Sequence, residues 1–309
     1  MSTLDDFEFF TILCRANSLS AAARELDVSP AATSKRLAGI EKCIGVQLVN
    51  RNTRSMSLTA EGRIYLEEAR AIRARVEALN DRIGPHAADI RGALRVNASL
   101  GFGRKYMAAM ISAFVSQYPS ITVDMELSDH PLDLVAQSYD IGIRFGRLRD
   151  SNLHARRIAP HRRLLAAAPA YIERHGVPRH PESLPAHNCL VLRQNDEAYG
   201  IWQFVRGAES LAVKVTGNLS SNDGESIVAW ALDGHGIMQR AAWEVAPYLA
   251  SGELIEILPE FALPRADISA VYHYQRFVPG KVRAFIDFFE RYVQSSALPT
   301  GMRAGADRS

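Results

Sequence analysis

The chain has 309 residues and carries 36 Lys and Arg against 34 Asp and Glu, a net charge of +2, so no global charge excess draws it to nucleic acid or to an anionic surface. Cys14, Cys43 and Cys189 are scattered without C-x-x-C spacing, and the nine histidines include no H-x-x-x-H pair, which argues against a disulfide framework or a metal site. No apolar run is long enough to span a bilayer, and Asp5, Asp6 and Glu8 stand where a cationic leader would lie, so a cytoplasmic protein with no membrane partner is expected.

Asn17 to Gly62 is the most informative stretch. It reads as a small-residue helix ending at Val28, a tight turn, a second helix and a basic hairpin. Ser29 supplies an N-cap hydroxyl and Pro30 a residue already fixed at helical φ, so the second helix starts there. Thr33, Leu37, Ile40 and Ile44 recur at spacings of three and four as a buried stripe, and Gly45 suits a left-handed C-terminal cap. The opposite face carries Pro30, Ala31, Ser34, Lys35 and Ala38. Its short side chains let a helix sink into a major groove, and Ser34 and Lys35 are placed to reach base edges or phosphates.

A charged helix face is often only a solvated face. Between Ser29 and Ser57, however, Lys35, Arg36, Lys42, Arg51 and Arg54 face the single anion Glu41, a net +4 in a chain of net +2. That concentration is what phosphate attraction requires. Arg51 and Arg54 belong on a wing beside the groove, for phosphate or minor-groove contact. The layout is that of a winged helix-turn-helix, and double-stranded DNA is the expected partner.

The run SAAARELDVSPAATSKRLAGIEKCIGVQL, followed by R-x-x-R and LTAEG, resembles the N-terminal domain of LysR-type transcriptional regulators from about Leu4 to Glu67. The remaining length agrees with that family's architecture. The expected organisation is a mostly α winged helix-turn-helix over 1–58, a linker and dimerisation helix over 59–90, and an effector-binding domain over 91–295. A tail over 296–309, rich in Gly, Ala and Arg, reads as a disordered extension.

In the linker, Tyr65, Ala69, Ile72, Val76, Leu79 and Ile83 are spaced 4, 3, 4, 3, 4, a heptad seam that asks for a partner helix. A seam of this kind can also pack on its own domain. Dimerisation through it sets two recognition helices on one two-fold axis, facing two half-sites of an inverted repeat. Gly84 and Pro85 end the helix.

Beyond Arg91, strands and helices alternate. Leu94, Val96 and Ala98, then Ile121, Val123, Met125 and Leu127, then Ile141, Ile143 and Phe145 read as strands, and Met107, Ile111, Phe114 and Val115 as a helical stripe. A second series starts near Leu164 and takes in Leu190 to Leu192, Val213 and Val215, a helix from Glu225 to Leu232, and a strand at Ile237. Such βαβ series predict parallel-rich sheets flanked by helices. The family resemblance implies a two-lobed α/β domain of periplasmic-binding-protein type, lobe I being 91–162 and 269–295 and lobe II 163–268, with a small-molecule effector between them.

Ligands in such sheets bind beyond the carboxyl ends of strands. Ser99, with the amides of Leu100 and Gly101, can hold an anion at a helix start or can simply cap that helix. Asp129, Phe145, Gly146, Arg193, Asn222 and Asp223 match positions that line the family's cleft. Arg193 is the preferred cation for a carboxylate because its planar fork bonds both oxygens, with Arg147 and Arg240 as competitors. The stretch IRFGRLRDSNLHARRIAPHRRLLAAAPAYIERHG resembles members related to regulators of small hydroxy-dicarboxylate use, which points to a small organic acid.

Peroxide-sensing members use a cysteine pair in this domain, whereas only Cys189 is present here. No cofactor and no catalytic set of nucleophile, base and orienter is recognisable, and G-F-G-R-K at Gly101 to Lys105 lacks phosphate-loop spacing. The expected function is a non-enzymatic, effector-responsive regulator that binds an interrupted palindrome as a dimer or tetramer, with RNA polymerase as a further partner. The alternative is an effector-independent, nucleoid-like DNA-binding protein with an unused cleft.

Overall fold

The computed structural model describes residues 3–52, 55–83, 90–128, 134, 137, 139–146, 153–193, 200–206, 209–273 and 278–295. The head begins with α1 (Leu4–Ala16), closed by a reciprocal cap in which Thr3 and Asp6 exchange backbone and side-chain bonds. Next come α2 (Leu19–Glu25), α3 (Pro30–Ile44), the antiparallel strands β1 (Val49–Asn52) and β2 (Ser55–Leu58), and the long helix α4 (Ala60–Ile83). Their core joins Phe9, Phe10, Leu13, Ala22, Leu37, Ile40, Leu48, Val49 and Leu66.

Thr59 and Gly62 turn the chain from the wing into α4. The Thr59 hydroxyl donates to the Gln47 carbonyl at 2.8 Å and accepts the Gly62 N–H at 2.9 Å. A Cβ on Gly62 would stand 2.0 Å from the Leu48 carbonyl oxygen, so only glycine allows this approach.

Three expectations for the head are corrected. The first helix of the pair ends at Glu25, and Val28 follows in a turn, its N–H donating to Ala23. Ile44 is exposed, so the buried stripe of α3 is Thr33, Leu37 and Ile40. The front of the linker seam packs on its own head, as Tyr65 meets the rings of Phe7 and Phe10 and Ala69 is buried. Leu79, by contrast, is exposed.

The first lobe is a five-stranded sheet in the order β4-β3-β5-β14-β6. Its strands are β3 (Gly92–Ser99), β4 (Ile121–Ser128), β5 (Ile141–Phe145), β6 (Leu153–Ala159) and, late in the chain, β14 (Ile268–His273). Between β3 and β4 runs a helical stretch made of α5 (Leu100–Phe102), a π-helical segment (Gly103–Met107) and α6 (Ala108–Gln117).

The second lobe has the sheet order β11-β8-β12-β7-β13, from β7 (Arg163–Ala167), β8 (Cys189–Leu192), β11 (Ser220–Ser221), β12 (Ile237–Ala241) and β13 (Ile255–Ile257). A separate hairpin pairs β9 (Ile201–Arg206) with β10 (Glu209–Lys214). The helices are α7 (Pro169–His175), α8 (Gly224–Leu232) and α9 (Ala242–Ser251), and α10 (Gly280–Gln294) returns to the first lobe, where Phe285 and Phe289 enter its core.

The sheets are mixed rather than parallel-rich. β3 runs parallel to β4 and β5, and β8 to β11 and β12, while β14, β7 and β13 pair antiparallel. Val213 belongs to the hairpin, not to the alternating series, because β10 pairs with β9 alone. Ile268 opens β14 in the first sheet, one residue before the expected return. Gly84, Pro85, Arg147 and the tail over 296–309 lie outside the described residues, and no described helix is long and apolar enough to cross a membrane.

Gly62→Ala is expected to cost about 1–3 kcal/mol through forced displacement of the Leu48 carbonyl. Hydrogen exchange of the α1 and α3 amides checks this, and unchanged protection would remove the close approach as the reason for glycine.

Candidate functional site

The α3 helix presents its working face by simple geometry. Ser29 accepts the N–H of Ala32 at 3.1 Å and Pro30 occupies the first turn, while Gly45 closes the helix at φ 85°. With about 100° per residue, Lys35 lies roughly 200° around from buried Thr33. Ser29, Pro30, Ala31, Lys35 and Ala38 are all exposed and Ser34 half-buried, so the sequence-predicted face is a surface.

Arg36 is placed differently. Its guanidinium sits over the Phe9 ring at 4.8 Å and pairs with Asp6 at 3.3 Å, which fastens α3 to α1. The Glu41 carboxylate accepts the N–H groups of Leu48 (3.0 Å) and Val49 (3.3 Å) and so ties the first wing strand to α3. The only anion of the basic segment is thereby turned inward onto backbone. Arg54 lies outside the described residues, and only the backbone of Arg51 is described, on β1.

In the regulatory domain, the parallel strands bring two groups of residues to their carboxyl ends. Ser99 ends β3 opposite Ser128, followed by half-buried Leu100 and Gly101, and Phe145 and Gly146 end β5. Across the lobe boundary, exposed Arg193 follows β8, its N–H donating to Ser221 at 2.7 Å, and exposed Asn222 follows β11. Asp129 lies outside the described residues. Ser99 makes no capping bond with its side chain, whereas Asp223 caps α8 by accepting from the Ser226 amide (3.1 Å) and hydroxyl (2.9 Å).

Asp223 is already committed. It also pairs with Arg104 of the first lobe at 3.4 Å, and Arg104 reaches Glu225 at 3.6 Å. Burial alone would raise the Asp223 carboxyl, but the bonds from Ser226 and Glu225 and the Arg104 charge hold it below the ordinary carboxylate range.

At the boundary, Trp243, Tyr106 and Glu244 carried no sequence signal, while Arg240, named as a competitor for the carboxylate, is buried and already paired with Glu244. Trp243, on α9 of the second lobe, is buried in the first lobe's core, where it meets Phe102 at 5.9 Å and Tyr106 at 5.0 Å between ring centres. Next to it, Arg240 near the end of β12 and Glu244 in the first turn of α9 form a buried ion pair. A Cβ on Gly224 would fall 2.0 Å from the Arg240 guanidinium, so that glycine admits the cation under α8. Burial, with the Glu244 charge nearby, pushes the Tyr106 hydroxyl up to about 12.

His161 sits where the chain crosses between lobes. Its ring Nδ1 lies 3.0 Å from the Ala266 carbonyl, its N–H donates to Asp267 at 3.2 Å, and its carbonyl accepts from Ala266 at 3.1 Å. Cys189 is buried and burial pushes its thiol up to about 12, so its sulfur is an inert core group. Among the described residues no three His, Cys, Asp or Glu side chains cluster to hold a metal.

Residues 4–63 match the bacterial regulatory helix-turn-helix protein of the lysR family, and residues 87–294 match the LysR substrate binding domain. The chain belongs to the LysR family. It is a DNA-binding transcriptional regulator with an effector-binding domain. It is 38% identical over 289 residues to the HTH-type transcriptional regulator DmlR of Escherichia coli (strain K12), covering 94% of each chain. The HTH-type transcriptional activator TtdR of the same strain is 35% identical, over 94% of this chain and 93% of the relative. Among solved structures, CrgA from Neisseria meningitidis aligns at 28% identity with a TM-score of 0.58, over 94% of this chain and 99% of that one. These likenesses run the length of the LysR architecture, so head and regulatory domain are matched together.

His161 makes a pH-dependent contribution with a defined sign. Burial first, then the charges of Arg163 and Arg240, depress its imidazole from 6.5 to about 4, against the pull of Ala266 and Asp267. Its neutral form is favoured by folding, so the stabilisation is complete above pH 6.5 and is lost as pH falls through about 4, up to about 3 kcal/mol. Unfolding free energy measured over that range is expected to fall less steeply in His161→Gln; an identical slope would show that another group carries the loss.

Proposed function

We propose that this LysR-family regulator reads an interrupted palindrome through α3 and the wing, and that a small carboxylate bound at the strand ends of the two lobes adjusts that reading. The observation that carries the DNA half is the exposed Pro30, Ala31, Ser34, Lys35 and Ala38 surface on a helix whose other side is anchored by Thr33, Leu37 and Ile40. Small groups there permit close groove approach, and Lys35 and Ser34 offer donors to bases or phosphates. Arg51 and Arg54 are assigned to the wing's phosphate contacts, and Arg36 to scaffolding.

Self-association runs through α4. With Tyr65 and Ala69 engaged by the head, the part of the seam left for a partner is Ile72, Val76 and Leu79, and the side chain of Ile83 lies outside the described ones. Exposed Leu79 supports this reading, since an apolar side chain on a long helix gains from a second helix. Two heads on one axis then address two half-sites. RNA polymerase is the further partner of such a regulator at a promoter.

For the effector, Arg193 supplies a charged fork and Ser99 a hydroxyl with the amides of Leu100 and Gly101 behind it. Phe145, Gly146 and Asn222 complete the walls. The relatives DmlR and TtdR are regulators of the same architecture, and the regulatory stretch resembling hydroxy-dicarboxylate regulators supports a small organic acid. Ligand energy reaches the DNA only through its differential affinity for two lobe arrangements.

Against a duplex selected from a random pool, Lys35→Ala is expected to weaken specific binding more than nonspecific binding. Arg51→Ala is expected to weaken both alike and to lower the slope of log affinity against log salt by about 0.9. Equal losses for Lys35→Ala would reduce it to a phosphate contact.

A thermal-shift screen of the purified protein with small carboxylic acids tests the effector half. A ligand at about 100 times its Kd stabilises by about 2.7 kcal/mol, and that shift should vanish in both Arg193→Ala and Ser99→Ala. Absence of any shift would favour an effector-independent DNA-binding protein.

A further inference from the structure

Lys281 stands where helix chemistry disfavours it. It is the second residue of α10, and a cation in the first turn of a helix faces the positive end of the macrodipole. Its side chain is nonetheless held closely and is only 13% exposed. The ammonium donates to the Ala93 carbonyl at the start of β3 at 2.8 Å and lies 3.8 Å from the Asp140 carboxylate just ahead of β5, both in the first lobe. A further partner is Glu77 of the linker helix α4, at 3.3 Å.

These partners make the contact firmer than an ordinary surface pair, which gains little because two long side chains must be ordered to form it. Ala93 and Asp140 already order Lys281 within the first lobe, so Glu77 meets an ammonium fixed in place. Asp140 is pinned in turn, since it accepts the Arg95 N–H at 2.8 Å. The Glu77 charge works to raise the Asp140 carboxyl and the Lys281 charge to lower it. Without the cation, α4 would bring two carboxylates together.

The front of α4 is bound to the head. Arg73 pairs with Glu8 of α1 at 3.5 Å, in addition to the contacts of Tyr65 with Phe7 and Phe10. The head also stands within electrostatic range of the first lobe, since Arg15 near the end of α1 feels the charges of Arg95 and Asp124. We propose that Lys281 is a positioning residue that latches the linker helix onto the first lobe through Glu77, so that head, α4 and first lobe form one body against which the second lobe moves. The latch uses none of Lys35, Ser99 and Arg193, so it stands whether or not an effector binds. A ligand that draws the lobes together then displaces the second lobe, while the first keeps its place beside the DNA-binding head.

Spin labels at the exposed positions Arg75→Cys of α4 and Ser112→Cys of α6 read the distance across the latch by pulsed electron resonance in the full-length protein. Cys43, the exposed native thiol, is replaced by serine, and labelled protein is mixed with an excess of unlabelled protein so that each assembly carries at most one labelled chain. One narrow distance is expected. Lys281→Met should at least about double the width of the distribution, because the two carboxylates then repel. Glu77→Lys, which sets two ammonium groups face to face without altering the first lobe, should broaden it likewise. Adding Glu77→Gln to Lys281→Met should narrow it again, which a role of Lys281 confined to the first lobe would not produce. Circular dichroism verifies the fold of each variant. A broad distribution with the latch residues intact overturns the proposal. So does an unchanged width in Lys281→Met or in Glu77→Lys, and so does a double variant as broad as Lys281→Met alone.

Discussion

The two sheets of the regulatory domain are joined by two short passages of chain, and the hydrogen bonds between those passages fix how the lobes face each other. His161 on the first passage bonds to Ala266 and Asp267 on the second through its backbone on both sides and through its ring. Everything built on the boundary inherits this junction. Ser99 and Phe145 stand at strand ends of the first lobe, and Arg193 and Asn222 at strand ends of the second, on either side of this junction.

A second set of contacts spans the same boundary with different physics. Trp243 crosses from α9 into the first lobe's aromatic core, and Arg104 crosses the other way to Asp223 and Glu225. The apolar crossing is insensitive to salt, while the exposed Arg104 pairs are screened and worth little individually. Buried Arg240 and Glu244 are another matter. Their mutual attraction offsets a large desolvation cost, so breaking the pair leaves an uncompensated charge and is more damaging than the pair is stabilising. The boundary therefore combines a firm apolar pivot with electrostatic contacts that yield easily.

Much of the head was legible from local chemistry. Ser29, Pro30 and Gly45 announce a helix start and stop that depend on neighbouring residues alone, and the three-and-four spacing of Thr33, Leu37 and Ile40 gives its inner face. Ile44 shares that spacing yet is exposed, because the helix outruns the small core it packs on. Arg36 reads as one more cation in a basic run; only the meeting of α3 with α1 shows that Phe9 and Asp6 claim it. Tyr65 and Ala69 fit a heptad seam equally well in either setting, and periodicity cannot say which surface arrives.

In the regulatory domain, alternation located most strands but not their direction. Parallel or antiparallel pairing is decided by how the chain returns, and the late arrival of β14 between β5 and β6 makes the first sheet mixed. The pivot was invisible for a related reason. Trp243 lies in an ordinary amphipathic helix of the second lobe, and nothing in its own neighbourhood reveals that Phe102 and Tyr106, some 140 positions away, form its socket. The π-helical segment that includes Tyr106 likewise breaks the 3.6-residue repeat on which sequence reading relies.

The inward-turned carboxylate of Glu41 has a mechanical meaning for DNA. Because it grips the backbone of Leu48 and Val49, the first wing strand and the reading helix are braced as a single stiff block. Such a block meets DNA as a unit. A shift of the helix carries the wing strand with it, so the head works as a fixed stamp and not as two separate fingers.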